Sequence, residues 1–490
     1  MNSAPSIPVL VGVAQLEQRL ADPTKAREPL DLMLDAVRSA AADAGSARLL
    51  SEATTVRVIR GAWRYADPGR AIAGELGIGR AETTLTQFGG NFVQSVVNQT
   101  ALDIQAGRHE IAIITGAECS HSYFKARKAG HRQAWRDAPG TPDRIYGKDM
   151  PMTGELESAA GLSKPIEYYP MFENALRHSR GESIPEHRAR ISALWSRFSE
   201  VASQNPHAWI RERQSPETIA TPTASNRPVS FPYPKLMNSN NNVDQAAALI
   251  MCSTAVATRL GIPDEKWIYL WAGTEAHDHP LVSNRDNLYS SPAIRIAGNR
   301  CLELAGVAAA DLDHVDLYSC FPVAVQVAAA ELGLDEQRPL TVTGGLTFAG
   351  GPLNNYVMHS IATMVEVLRA NDHDKGLVTA NGGYLTKHAF GVYSAIPPAQ
   401  PYRHEDLQDE ADRSPRREAV ADYTGPITTE AYTVMYGADG PETAYVAGLT
   451  PSGERVWASS TNPELLSAMT EEEFCGRPAH MDSQGTVQYG

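Results

Sequence analysis

The segment GGNFVQSVVNQTALDIQAGRHEIAIITGA, Gly89 to Ala117, holds one full cycle of a helix–strand alternation. Two glycines lead into apolar residues at helical spacing, which predicts a helix from Phe92 to Ala106. Gly107 follows, and Ile111 to Thr115 is a short unbroken apolar run of the kind needed by a strand covered on both faces. Late in the chain the order recurs. Gly350-Gly351-Pro352-Leu353 opens a second amphipathic helix to Leu368, and Leu377 to Ala380 is again an apolar strand. Small residues close each unit, Thr115-Gly116-Ala117 in one and Asn381-Gly382-Gly383 in the other. The repetition reads as an internal duplication of the core, the alternative being chance likeness between two α/β segments.

The two glycine turns also suggest chemistry. A helix N-terminus presents unpaired N–H groups and a partial positive charge, and glycine lets a ligand approach the backbone. Two such turns facing one cleft would hold the oxyanion of a carbonyl or thioester. Neither turn carries a side chain for nucleophilic or acid–base work.

Outward from this segment the alternation continues. Val9 to Val13 and Thr55 to Ile59 read as strands and Leu30 to Ala42 as a helix. Between about Ser120 and Asn240 the rhythm breaks, with a helix expected over Ile184 to Ala202 and an extended stretch over Pro228 to Pro234. An insertion of that length commonly builds a substrate pocket. Beyond it we expect a helix over Asp244 to Leu260, a strand over Trp267 to Ala276, helices around Ile294 to Leu304 and Val323 to Leu332, and the short strand Val315-Asp316-Leu317. The fold class is α/β, a mostly parallel sheet covered by helices. Residues 1–260 form a first half with the insertion at about 120–240, and residues 261–400 form a second half.

Residues 401–421 are dense in mixed charge and read as a solvated linker. Ile427 to Tyr436, Thr443 to Leu449 and Glu454 to Ser459 are strand candidates separated by glycine turns, so residues 422–490 read as a small all-β, OB-like barrel. With only Arg455 and Arg477 against many carboxylates, that module is a packing or interaction domain and not a nucleic-acid binder.

Composition narrows the classes. A chain of 490 residues exceeds one comfortable core. Its net charge of −14 disfavours nucleic acid and anionic lipid as partners, and the one dense basic cluster, Arg413, Arg416 and Arg417, sits among carboxylates. No run approaches the ~20 apolar residues of a membrane span. Met1-Asn2-Ser3-Ala4-Pro5 lacks a basic-then-apolar signal, so a cytoplasmic location is expected. Five scattered cysteines without CxxC spacing encode neither a disulfide framework nor a metal site.

Four motifs together resemble the thiolase superfamily: Ala106-Gly107 through Thr115-Gly116-Ala117-Glu118, Asp244-Gln245-Ala246-Ala247-Ala248, Tyr318-Ser319-Cys320-Phe321, and Gly344-Gly345-Leu346 leading to Gly350-Gly351-Pro352. The resemblance spans about Pro8 to Ala395 and implies an acetyl-CoA acetyltransferase-like five-layered αβαβα core of two similar halves with an inserted loop domain. Glu430-Ala431-Tyr432-Thr433-Val434 resembles the barrel-bearing branch of thiolase-like proteins, and also the small barrel proteins that accompany thiolase-like aldolases. The family's acyl-accepting cysteine falls on Gly90 and its Gly-His-Pro histidine on Gly351. The second cysteine falls near Asn381, and the residue that holds the oxyanion water falls on Tyr318. Ordinary thiolysis or Claisen condensation is therefore not expected.

What survives is a polarising scaffold: Gly90 and Gly351 with their backbone N–H groups, and Tyr318, Ser319, Asn381 and His388. Tyr318 reads either as a catalytic phenol or as a packing ring, His388 as a replacement base or a structural histidine, and Cys320 as a substitute nucleophile or an inert small hydrophobe. The resemblance implies that Met171, Phe172, Asn238 and Ser239 line a coenzyme A channel, with Met171 and Phe172 as core residues the alternative. It also lets Lys125, Arg127, Lys128, Arg132 and Arg136 receive nucleotide phosphates. The implied ligand is an acyl-CoA or related lipid thioester, with no covalently bound cofactor and no metal. The implied setting is lipid or steroid metabolism in a homodimer or monomer. The work done is either nucleophile-free carbon–carbon chemistry or a non-catalytic carrier or regulatory role.

Overall fold

The computed structural model describes residues 6–489, so Met1-Asn2-Ser3-Ala4-Pro5 lies outside it. The first half runs β1 (Pro8–Glu17), α1 (Pro29–Asp43), β2 (Thr55–Val58), α2 (Pro68–Glu75), β3 (Glu82–Thr86), α3 (Phe92–Gln105) and β4 (Ile111–Cys119). The insertion adds β5 (Arg144–Tyr146), α4 (Pro165–Ser179), α5 (Ile184–Gln204) and β6 (Pro228–Ser230), and β7 (Asp244–Ser253) completes the half. The second half runs β8 (Ile268–His277), α6 (Pro292–Ala305), β9 (His314–Asp316), α7 (Pro322–Leu332), α8 (Tyr356–Ala370), β10 (Lys375–Gly382) and β11 (Lys387–Ser394).

One mixed sheet of eleven strands passes through both halves in the order β9-β10-β11-β8-β1-β7-β4-β2-β3-β5, with β12 (Arg403–Asp406) added alongside β8. From the middle outward the order is the same on both sides, β1-β7-β4-β2 one way and β8-β11-β10-β9 the other. The pairings match too, antiparallel, antiparallel, then parallel, so the sheet is mixed and not the mostly parallel one expected. That shared topology makes the duplication structural and excludes chance. The halves join where Val9 and Leu10 pair with Tyr269 and Ile268.

Asp244 to Ser253 is a strand, correcting the helix expected there; only Thr254–Arg259 beyond it is helical. Its alanines misled because alanine favours helices in isolation. In the fold, β7 is central and antiparallel to both neighbours, and its residues alternate between two cores. Ala247, Leu249 and Met251 enter one, while Ala246, Ala248 and Ile250 enter the other. Small side chains let helices close on both faces of such a strand.

The stretch read as a linker also changes. Its charges line β12, parallel to β8, and Tyr402 is buried with its hydroxyl donating to Asn98 Oδ1 (3.0 Å). Beyond it, β13 (Gly425–Tyr436), β14 (Pro441–Leu449), β15 (Arg455–Ser460), β16 (Pro478–Met481) and β17 (Val487–Gln488) form a separate sheet in the order β15-β14-β13-β16-β17. A bridge from Ser459 to Thr486 returns the last strand to β15, and Ser230 of β6 pairs with Met435. A helix the sequence reading missed, α9 (Pro463–Glu471), follows Asn462, whose side chain accepts the Glu464 and Leu465 N–H groups.

Helix α3 is buried nearly all round because it lies between the halves. Its polar residues are therefore matched. Gln94 accepts from the Tyr393 hydroxyl (2.8 Å), Ser95 donates to Glu275 (2.6 Å) and Asn98 donates to the Phe390 carbonyl (3.2 Å). Gly107, at φ +69°, ends it in the left-handed conformation that favours glycine.

Near the end of β4, Glu118 accepts the Ala62 N–H (2.8 Å), and burial pushes its carboxyl up to about 7. A folded pKa above the unfolded one means that the native chain holds the extra proton between the ordinary carboxylate range and about 7. Stability should fall as pH rises through that window, by at most about 1.4 kcal/mol per pH unit. Glu118→Gln is expected to flatten this slope, read from urea midpoints between about pH 5 and about pH 8.

Candidate functional site

A cavity of about 570 Å³ opens where the α3 glycine turn, the insertion and the second half meet. That volume suits a small-molecule ligand. Gly90, Tyr318 and Asn381 come together at its centre, and Asn238, Ser239 and Cys320 also line it. A Cβ built on Gly90 would stand 2.6 Å from the Asn381 carbonyl oxygen and 2.9 Å from the Tyr318 hydroxyl oxygen. The space that a side chain at position 90 would use is thus held by the tyrosine and by the backbone of β10.

Tyr318 emerges beyond β9, its backbone N–H donating to Thr379 Oγ1 (2.9 Å) and its ring packed edge-to-face on Tyr356, centroids 5.6 Å apart. Burial, with Cys320 and Tyr356 adding to it, holds the phenol well above its ordinary pKa. Tyr318 is therefore a neutral hydrogen-bond donor at physiological pH and not a base. Burial likewise pushes the Cys320 thiol up to about 12, so it is no thiolate nucleophile.

Asn381 donates through Nδ2 to the Tyr169 hydroxyl (2.9 Å), which also accepts the Leu385 N–H (2.8 Å) and donates to the Gly383 carbonyl (3.2 Å). The other end of the Asn381 amide is buried without a protein partner. Asn238 is alike, donating to the Pro234 carbonyl (2.8 Å) with its Oδ1 unmatched, while Ser239 donates to the Cys320 carbonyl (3.0 Å).

Other expected residues lie elsewhere. The Gly351 N–H donates to the Asn240 carbonyl (2.9 Å), so the second glycine turn offers no free donor there. Helix α8 begins only at Tyr356, after Leu353, a cavity residue held at φ +49°. Ser319 is buried with its hydroxyl accepting the Leu346 N–H (3.3 Å). His388 sits behind Tyr318 at a small separate void, its Nε2 3.3 Å from Asp278 and 3.5 Å from the Ser291 hydroxyl that caps α6. Met171 and Phe172 are core residues of α4, with Phe172 under the Arg285 guanidinium at 5.5 Å. Arg136 is engaged by Glu28 and Asp31, beside a different hollow that Arg132 lines. Lys164, Tyr169, Tyr384 and Lys387 line the cavity instead. Strand alternation on β11 was the available signal for Lys387, because it puts Lys387 and His388 on opposite faces.

Among the described residues no group of three or more His, Cys, Asp or Glu is placed to hold a metal ion, and no helix is long and apolar enough to cross a membrane.

Residues 406–486 match the family of thiolase-like protein type 1 additional C-terminal domains, and residues 274–338 match the thiolase C-terminal domain-like family. A monomeric SCP2-thiolase like protein type 1 from Mycobacterium smegmatis superposes with a TM-score of 0.85 at 30% identity, over 99% of this chain and 100% of that one. An Ltp2-ChsH2(DUF35) aldolase superposes with a TM-score of 0.61 at 20% identity, over 79% of this chain and 98% of that one, a likeness of fold alone. An acetyl-CoA acetyltransferase of Methanocaldococcus jannaschii is 22% identical over 48% of this chain. The chain spans about half that curated relative's length, 53%. The full-length match, the two family matches and the paired halves agree: the chain belongs to the thiolase superfamily, among its thiolase-like proteins of type 1.

Proposed function

We propose that the protein binds an acyl-CoA or related lipid thioester in this cavity and acts on it, in lipid or steroid metabolism, by carbon–carbon bond chemistry without a covalent acyl-enzyme. The observation that carries this is the Tyr318 hydroxyl standing where a side chain at Gly90 would be. The place of a thiol nucleophile is taken by a neutral acid. In a retro-aldol cleavage of a 3-hydroxyacyl thioester the Cα–Cβ bond breaks, the 3-hydroxyl proton passes to solvent in the cavity and Cα takes a proton back, giving a carbonyl compound and the shortened thioester. Tyr318 donates to the thioester carbonyl oxygen beside the Gly90 N–H, and both stabilise the enolate charge that develops there.

A carrier without turnover is the second reading, favoured by the tie between His388 and Asp278, which takes the expected base out of the cavity. Tyr318→Phe separates the two. For an enzyme, turnover of 3-hydroxyacyl-CoA, followed as a shortened CoA ester by mass spectrometry, is expected to fall by about 10²–10³ with thioester affinity nearly unchanged. For a carrier, the wild type returns every thioester intact while retaining some on the protein.

A further inference from the structure

Lys387, the first residue of β11, borders the cavity beside Phe88 and Gly89. It is 2% exposed. Its ammonium donates to the Phe88 carbonyl (3.2 Å) and stands 5.5 Å from the centroid of the Phe92 ring. Among the described residues it forms no ion pair, in contrast to Lys164 at the same cavity, which reaches Glu167 at 3.6 Å. Asp149, exposed on the wall of the same cavity, is the carboxylate that acts on it, from beyond ion-pair distance. An ammonium has three N–H donors. The carbonyl and the ring face account for two.

A buried cation without a direct ion pair is costly, and methionine would fill the same channel beside Phe92 without that cost. Burial pushes the amine's pKa down, which an anion alongside would reverse. The cavity walls include Met150, Met152 and Ile166, apolar surface for a methylene chain.

We propose that Lys387 is the counter-ion for a second acidic group on the ligand, so that the cavity selects acyl thioesters whose acyl part carries its own carboxylate, the monothioesters of dicarboxylic acids. The thioester half of this statement rests on the reading given under Proposed function; the ion pair at Lys387 does not.

Calorimetry with adipoyl-CoA against hexanoyl-CoA, and with monomethyl adipate against methyl hexanoate, tests the two parts separately. The wild type is expected to bind the acid of each pair at least about tenfold more tightly, and Lys387→Met to remove most of that difference. Equal affinity within the pairs, a preference that survives Lys387→Met, or no binding of any of the four compounds overturns the site. If neither CoA ester binds while monomethyl adipate binds through Lys387, the lysine site stands and the thioester reading falls. Lys387→Gln replaces the methionine variant if that chain does not melt cooperatively, and equal affinity within the pairs for the wild type overturns the site even without a variant.

Discussion

Arg455→Met is expected to lower the free energy of unfolding by about 3–5 kcal/mol. The guanidinium is fully buried at the start of β15. Two of its nitrogens grip Glu430 of β13, each at 2.7 Å, and the third donates to the carbonyls of Val282 (3.1 Å), Ser283 (2.9 Å) and Arg285 (2.6 Å) in the second half. Methionine fills the volume but leaves Glu430 as a nearly buried, uncompensated carboxylate and takes a donor from three carbonyls, of which Val282's keeps the Arg285 N–H (3.2 Å). One side chain thus stitches the C-terminal sheet to the core. Trp457 reports on the joint, because its indole N–H donates to Ser283 Oγ (2.8 Å). The measurement is urea unfolding followed by tryptophan fluorescence and by circular dichroism. A loss below about 1 kcal/mol would mean that apolar contact carries the docking and the arginine adds little.

Putting a thiol back at Gly90 is expected to produce no acyl-enzyme and to cost about 1–3 kcal/mol of stability. The new Cβ would press on the Asn381 carbonyl, which cannot retreat because Asn381 is paired with His388 across β10 and β11. It would also press on the Tyr318 hydroxyl. A base is missing as well, since glycine stands at position 351 and its N–H is used by Asn240. Intact mass after incubation of Gly90→Cys with acetoacetyl-CoA should show no acetyl adduct. Adding Tyr318→Ala should recover only part of the lost stability, because the backbone clash with Asn381 remains. An acetylated single variant would show that the scaffold still activates a thiol and that the glycine alone silenced it.

These expectations draw unequally on sequence and structure. Periodicity made α3, β4 and the recurrence at Gly350 legible, because each is long or apolar enough for its period to be counted. It failed at β7, where alanines chosen for thinness imitate a helix. It failed again at the second glycine turn, where position 351 matches position 90 in sequence yet a single backbone hydrogen bond to Asn240 removes its donor. Tyr318, Asn381, Asn238 and Ser239 were visible through family resemblance and do meet at one cavity. Lys387 and His388 are neighbours in sequence, and only the register of β11 says which of them faces the cavity and which is locked to Asp278. Such single-residue alternation is lost when a segment is not recognised as a strand.

The three residues of β5 carry more than their length suggests. Lying parallel to Thr84, Leu85 and Thr86, they satisfy backbone groups that would otherwise be a template for a foreign strand. They leave in their place a border too short, and at Arg144 too charged, to recruit one. The same strand supplies Tyr146, whose hydroxyl donates to the Ser95 carbonyl in α3 (3.2 Å) and whose ring meets Phe92 edge-on at 6.1 Å. Protection against aggregation and the bracing of the helix that starts at the cavity are therefore one inheritance, and a change that frayed β5 would bare the sheet edge and loosen that helix together.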